Sequence, residues 1–208
     1  MSVEDSLRIE AVDIKAFGNH LLEKDMRAFQ ELKDSLDFDA IQKALDIILA
    51  CEGHILVTGS GTSSTIARRL AHTLTCSGVP SYFLDAGQSI HGYSAIITDK
   101  DVLIGFSRGG ETDEVNFVAK IARKRGAKVI SILENPQSTF AKLSDLILHG
   151  AVRPENEPIN TIPLANTLVQ AALGDILCGY INILKGFDPD EFGKFHPGGA
   201  VGKRLASE

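Results

Sequence analysis

"HILVTGSGTSSTIARRLAHTLTCSG", residues 54–78, contains a change of rhythm. It opens as a short apolar run, closes that run on Gly59 and Gly61, and continues as a helical pattern with hydroxyls at its start and Gly78 beyond its end. A run of this kind, broken by glycine and followed by 3.6-residue periodicity, reads as strand, turn and helix. The unit recurs. "PSYFLD" (80–85) leads into a loop, "DVLIGFSRGG" (101–110) into "ETDEVNFVAKIARKRG", "AKVISILENP" (127–136) into "QSTFAKLSD", and "LILHG" (146–150) supplies a last strand. The strands are continuous apolar runs without alternation, so both faces are expected to be buried. That pattern predicts a doubly wound α/β fold, a parallel sheet covered by helices.

Two segments precede this core. From Glu4 to Asp34, apolar residues recur at helical spacing (Leu7, Ile9, Val12, Ile14, Phe17 and onward), which predicts a long amphipathic helical arm over residues 1–34. A second helix is expected from Phe38 to Cys51, with Gly53 beyond its end. After Gly150 comes a polar loop, "AVRPENEPINTIP", then a long apolar helix from about Leu164 to Lys185. The tail is rich in glycine and proline but carries Phe187, Phe192 and Phe195, so it is expected to dock on a surface.

Composition narrows the function classes. With 21 basic and 27 acidic side chains the net charge is −6 and no basic cluster occurs, so neither nucleic acid nor an anionic membrane is expected as a partner. Cys51, Cys76 and Cys178 are odd in number and far apart, the pattern of buried thiols in a reducing compartment, and a cytoplasmic protein is expected. The N-terminus shows no export signal, and no uninterrupted apolar stretch reaches the roughly 18 residues of a membrane span.

In a doubly wound sheet the ligand crevice lies beyond the carboxyl ends of the strands, so "GSGTSS" (59–64) and "SRGGET" (107–112) should share one rim. Each precedes a helix, where free backbone N–H groups favour an anion. Ser60, Thr62 and Ser63 add donors from the first loop, and Ser107, Arg108 and Thr112 from the second. A phosphate is the expected ligand. The competing account makes these hydroxyls N-caps only. A dinucleotide site is a further rival, with Asp85 near the place of the ribose-binding acid, but the first loop lacks the third glycine of that motif.

These two loops, with "HG" at 91–92 and "FHPGGAVGKRL" at 195–205, resemble the sugar isomerase (SIS) domain family, and particularly its arabinose 5-phosphate isomerase branch, from about residue 35 to the C-terminus. The resemblance implies a five-stranded parallel sheet and a phosphosugar ligand. It places Ser63, Ser107, Arg108, Gly109 and Thr112 on the phosphate-contacting stretch. It also implies an aldose–ketose isomerase working through a cis-enediol without metal or other cofactor. Glu155 matches the position of the base, Glu111 an orienting carboxylate, and His196 or His91 the group that opens the ring or moves protons between oxygens. The branch's lysine has no counterpart, since Thr62 stands in its place. The resemblance further implies a homodimer or homotetramer with His196 contributed by a neighbouring subunit; most of that branch continues into paired CBS modules, which are not expected here because the sequence stops at Glu208. A catalytically silent phosphosugar-binding module is the alternative. His20, His54, His72 and His149 are read as surface or packing residues without ligand-spaced partners, so no metal site is expected. Arg68 and Arg69 are read as a solvated or interface face that could reach a phosphate.

Overall fold

The computed structural model describes residues 13–159, 162–186 and 188–205. Leu7, Ile9, Val12 and Phe187, singled out above, lie outside these residues. Helix α1 (Ile14–Ser35) is capped by Asp13, whose carboxylate accepts from the Lys15 and Ala16 N–H groups at 3.0 and 3.2 Å. Leu36 and Asp37 break it from α2 (Phe38–Leu49), and Asp37 caps α2 by accepting from Ala40 N–H.

Five parallel strands follow, in spatial order β2-β1-β3-β4-β5: β1 (Ile55–Gly59), β2 (Ser81–Phe83), β3 (Val102–Phe106), β4 (Lys128–Leu133) and β5 (Leu146–His149). The connecting helices are α3 (Thr62–Cys76), the short α4 (Ala86–Ser89), α5 (Asp113–Arg125) and α6 (Thr139–Leu143). The chain ends in α7 (Leu164–Leu184), α8 (Pro189–Phe195) and α9 (Gly199–Leu205).

Alternate strand residues feed two separate cores. Ile55, Val57, Ile104, Phe106, Ile130 and Ile132 pack with α1, α2, α3 and α7, whereas Leu56, Leu103, Val129 and Leu133 pack with α5 and α6. Burial on both faces is why the strands read as unbroken apolar runs. Helices α3 and α5 leave neighbouring strands β1 and β3 toward opposite faces of the sheet. The strand order reverses between β1 and β3, and that switch opens a crevice at their carboxyl ends.

Two local features depart from the sequence reading. Gly53 does not terminate α2, which ends at Leu49; a Cβ there would lie 2.3 Å from Asp101 Oδ1 and 2.9 Å from the Lys100 backbone, so close approach of chains requires the glycine. The arm is no appendage in its second half, since Ala28 and Leu32 of α1 join the core. Helix α7 is long and apolar enough by length and composition to cross a membrane. Its Val169, Leu173, Leu177 and Ile181 belong to the core, which accounts for that composition.

Candidate functional site

Strand register sets the crevice. Gly59 pairs with Phe106, so Ser60 and Ser107 begin their loops side by side, about 5 Å apart at the strand spacing. Gly61 turns the first loop at φ +55°, a backbone region that favours glycine. Ser60 and Ser63 are half-buried, and Thr62 is exposed. In the second loop Ser107 is 3 % exposed, and its Oγ lies 3.2 Å from the Thr112 hydroxyl. Gly110 at φ +72° brings the loop against Ser138, and its carbonyl accepts from Phe140 N–H at 3.0 Å.

The capping account of these hydroxyls fails. Side chains cap α1, α2, α4, α6 and α8, and the buried Glu157 accepts from Leu164, Ala165 and Asn166 N–H groups at the start of α7. Helices α3 and α5 alone among the described helices of more than two turns have no side chain on their leading N–H groups. Ser64 and Thr65 hydroxyls turn instead to the Gly61 and Thr62 carbonyls. The first turn of α5 carries Asp113 and Glu114, whereas that of α3 carries no acid. The anion-attracting end is therefore that of α3.

Arg108 is not a free cation. Its Nε donates to Glu134 Oε1 at 3.2 Å, and that same oxygen accepts from Asn166 Nδ2 at 2.7 Å. Asn166 also donates to the Gly150 carbonyl at 3.1 Å, so one network joins the loops after β3, β4 and β5 to the first turn of α7. Sequence reasoning overlooked Glu134 and Glu157; the position of Glu134 directly after β4, on the ligand rim, was the available signal. Arg68 stacks 3.8 Å over Phe83 and pairs with Asp85 at 3.5 Å, while Arg69 pairs with Asp175, so both arginines have partners. Asp85 also caps α4, a structural use at the place where a ribose-binding acid was considered.

The acid and base candidates are spread over four places. Glu111 is exposed on the second loop and accepts from Thr139 N–H at 2.8 Å; the Thr139 side chain first, and then that N–H, hold its carboxyl below the ordinary glutamate range, and the contact ties the loop to α6. Glu155 is exposed in the Pro154–Asn156 turn beyond β5. That turn is anchored on α1, because Asn156 Nδ2 donates to Glu31 at 2.9 Å and Arg153 pairs with the same carboxylate at 3.3 Å. His91 is exposed in the connection after α4. His196 is not on the rim of its own chain. It contacts Cys76 Sγ, at the opposite end of α3, some 20 Å from the Ser60–Ser63 turn at 1.5 Å per helical residue.

Histidine 72 needs correction as well. It has a cysteine partner at helical ligand spacing, Cys76 one turn on, with Nε2 and Sγ 3.6 Å apart.

Comparison with known proteins agrees with this fold. The profile of the SIS domain family matches residues 48–175. Arabinose 5-phosphate isomerase KpsF of Escherichia coli is 35% identical over 178 residues, covering 86% of this chain and 54% of that protein. Arabinose 5-phosphate isomerase KdsD of Pseudomonas aeruginosa is 35% identical over 167 residues, 80% of this chain and 51% of its own. The chain thus spans about half the length of these curated relatives. The solved structure of E. coli CFT073 c3406 in complex with arabinose 5-phosphate superimposes with a TM-score of 0.83 at 27% identity, covering 95% of this chain and 100% of that one.

Proposed function

The chain belongs to the SIS domain family, and from that premise we propose that it is a phosphosugar isomerase that interconverts an aldose and a ketose phosphate of the arabinose 5-phosphate class. The observation that carries this reading is the pair of hydroxyl-rich loops on adjacent strands, each leading into a helix whose N–H groups no side chain occupies. The phosphate would rest on the start of α3 among Ser60, Thr62 and Ser63, with Ser107 and Thr112 hydroxyls facing it from the second loop. Gly109, where a Cβ would meet nothing within 4 Å, leaves room for the sugar beside Arg108. Arabinose 5-phosphate isomerases among the relatives, and arabinose 5-phosphate bound in a structural neighbour, support the ligand class.

The chemistry is proton movement between C1 and C2 through a cis-enediol, which a carboxylate base and an imidazole can perform without a metal ion. Glu155 is the base. It is exposed in the single chain, and closure of the rim by substrate or by a second subunit would shield it from water and hold it against the sugar. His196 is delivered to the rim by a neighbouring subunit of a homodimer or homotetramer, and His91 is the rim histidine of the chain itself. Glu111 positions the second loop through Thr139. The three free thiols fit a reducing, cytoplasmic setting.

Thermal-shift screening of pentose 5- and hexose 6-phosphates, then NMR of C2-proton exchange in heavy water, tests the proposal. An aldose phosphate should stabilise the protein and exchange its C2 proton. Glu155→Gln should keep the stabilisation and lose the exchange; exchange at the wild-type rate would remove Glu155 from the mechanism. A second reading, a phosphosugar-binding module without catalysis, is favoured by Thr62 in the place of the branch's lysine. Stabilisation without any exchange in the wild type would establish it.

A further inference from the structure

The far end of α3, away from the phosphate rim, gathers three soft donors. His72 and Cys76 share one face of α3 at i, i+4, and His196 reaches them from the end of α8. Cys76 Sγ lies 3.6 Å from His72 Nε2 and 3.5 Å from His196 Nε2, and all three donor atoms fall within 4.8 Å of one another. Zinc–sulfur and zinc–nitrogen bonds of about 2.3 and 2.0–2.1 Å, opened by a tetrahedral angle, separate S and N ligands by about 3.6 Å. Both observed separations match that edge.

The third ligand is held in place. The His196 ring stacks on Phe192 with centroids 4.0 Å apart and planes 13° from parallel. Its backbone N–H donates to the Phe192 and Gly193 carbonyls. A Cβ on Gly202 would lie 2.0 Å from the His196 carbonyl oxygen, so α9 is seated tightly over the same residue. A cleft of about 640 Å³, bordered by Asn182, Lys185 and Phe195, opens directly on the cluster and provides both entry and space for a further ligand.

We propose that His72, Cys76 and His196 bind one borderline transition-metal ion of the Zn2+ class, with a fourth position open to the cleft. Two imidazoles and a thiolate without a carboxylate select such an ion over Mg2+ or Ca2+, which require oxygen ligands. On binding, the Cys76 thiol gives its proton to solvent and the sulfur lone pair to the ion. The ion ties α8, and α9 seated on it, to the end of α3. The site lies at the opposite end of α3 from the chain's own proposed sugar site; His196 is the one residue it shares with the proposed function, and ligation of an ion here and service at a neighbour's rim are alternative states of that histidine.

Co2+ added to chelator-treated protein tests the proposal. One equivalent should give tetrahedral d–d bands and a thiolate-to-cobalt charge-transfer band, displaced by Zn2+. His72→Ala should weaken Co2+ binding at least tenfold, and Cys76→Ala should abolish the charge-transfer band, while Cys51→Ala retains it. Hydrogen exchange supplies a second reading: Zn2+ should protect amides of residues 189–205 in the wild type and not in His72→Ala, whose exposed position leaves folding intact. A wild-type titration without a charge-transfer band would overturn the proposal and leave a hydrogen-bonded triad only. So would a band that survives Cys76→Ala.

Discussion

At the scale of single residues, adjacent glycines of the second loop have opposite requirements. Gly110 sits at φ +72°, and a Cβ there would lie 2.0 Å from Ser138 Oγ and 2.5 Å from Ser138 Cβ, whereas Gly109 faces open space. Gly110→Ala should therefore cost about 1–3 kcal/mol in denaturant unfolding through backbone strain and the clash. Gly109→Ser should leave stability within about 0.5 kcal/mol. Equal effects of the two would refute this placement of the loop. Asp101 shows the electrostatic counterpart. Burial alone would raise its carboxyl, but N–H groups of His54 and Thr98, the Thr98 hydroxyl and the nearby His54 imidazole outweigh burial and lower it. A lowered carboxyl stabilises the fold above the ordinary aspartate range, and that contribution is lost as pH falls through the folded-state value. Asp101→Asn should thus be destabilised by about 1–3 kcal/mol at neutral pH. The gap from wild type should close below about pH 4, where the unfolded chain takes up its proton. A gap independent of pH would assign the effect to packing.

At the scale of elements, the start of α3 is left uncapped in a chain that caps most of its other helices, and under the proposed function stability is given up there for ligand affinity. Thr62→Glu places a carboxylate in the first turn, where the helix dipole favours it by about 0.3–1 kcal/mol. The variant should melt slightly higher than wild type without ligand and show no thermal shift with a phosphosugar. A retained shift would move the anion away from α3. The same contrast explains what the sequence made legible. Strands β1, β3 and β4 and helices α3, α5 and α7 were readable because burial on both sheet faces and along helix stripes leaves a periodic record. The loops Gly59–Ser64 and Ser107–Thr112 were readable because glycine and hydroxyl residues have few other reasons to cluster after a strand. Glu134, Asn166 and Glu157 were not, because their roles come from side chains meeting across 32 residues or from a carboxylate capping a helix seven to nine residues away. Nor was the His72–Cys76–His196 cluster, whose third member is 120 residues from the thiol.

At the scale of the whole molecule, one chain does not bring together every group that the proposed chemistry uses. The hydroxyl-rich turns and Glu155 lie at or beyond the carboxyl ends of the strands, while His196 is held at the other end of α3. On α1, Ala28 and Leu32 face the core, but Leu22, Met26 and Phe29 form an exposed apolar stripe at i, i+4, i+7. Such a stripe is expected to be covered by a second copy. If the histidine serves a neighbour's rim, then Glu155→Gln and His196→Ala damage different halves of a shared site. A mixed assembly of the two variants contains one rim that joins an intact Glu155 to the intact His196 of the other chain, and one rim that lacks both. Mixing separately inactive variants, with subunit exchange verified by native mass spectrometry, should restore up to about half of the wild-type C2-proton exchange per heterodimer, since one of its two sites is complete. If each chain used its own histidine, every rim in the mixture would lack one group. No exchange would return, whereas a His196→Ala variant active on its own would leave His91 as the imidazole of the rim.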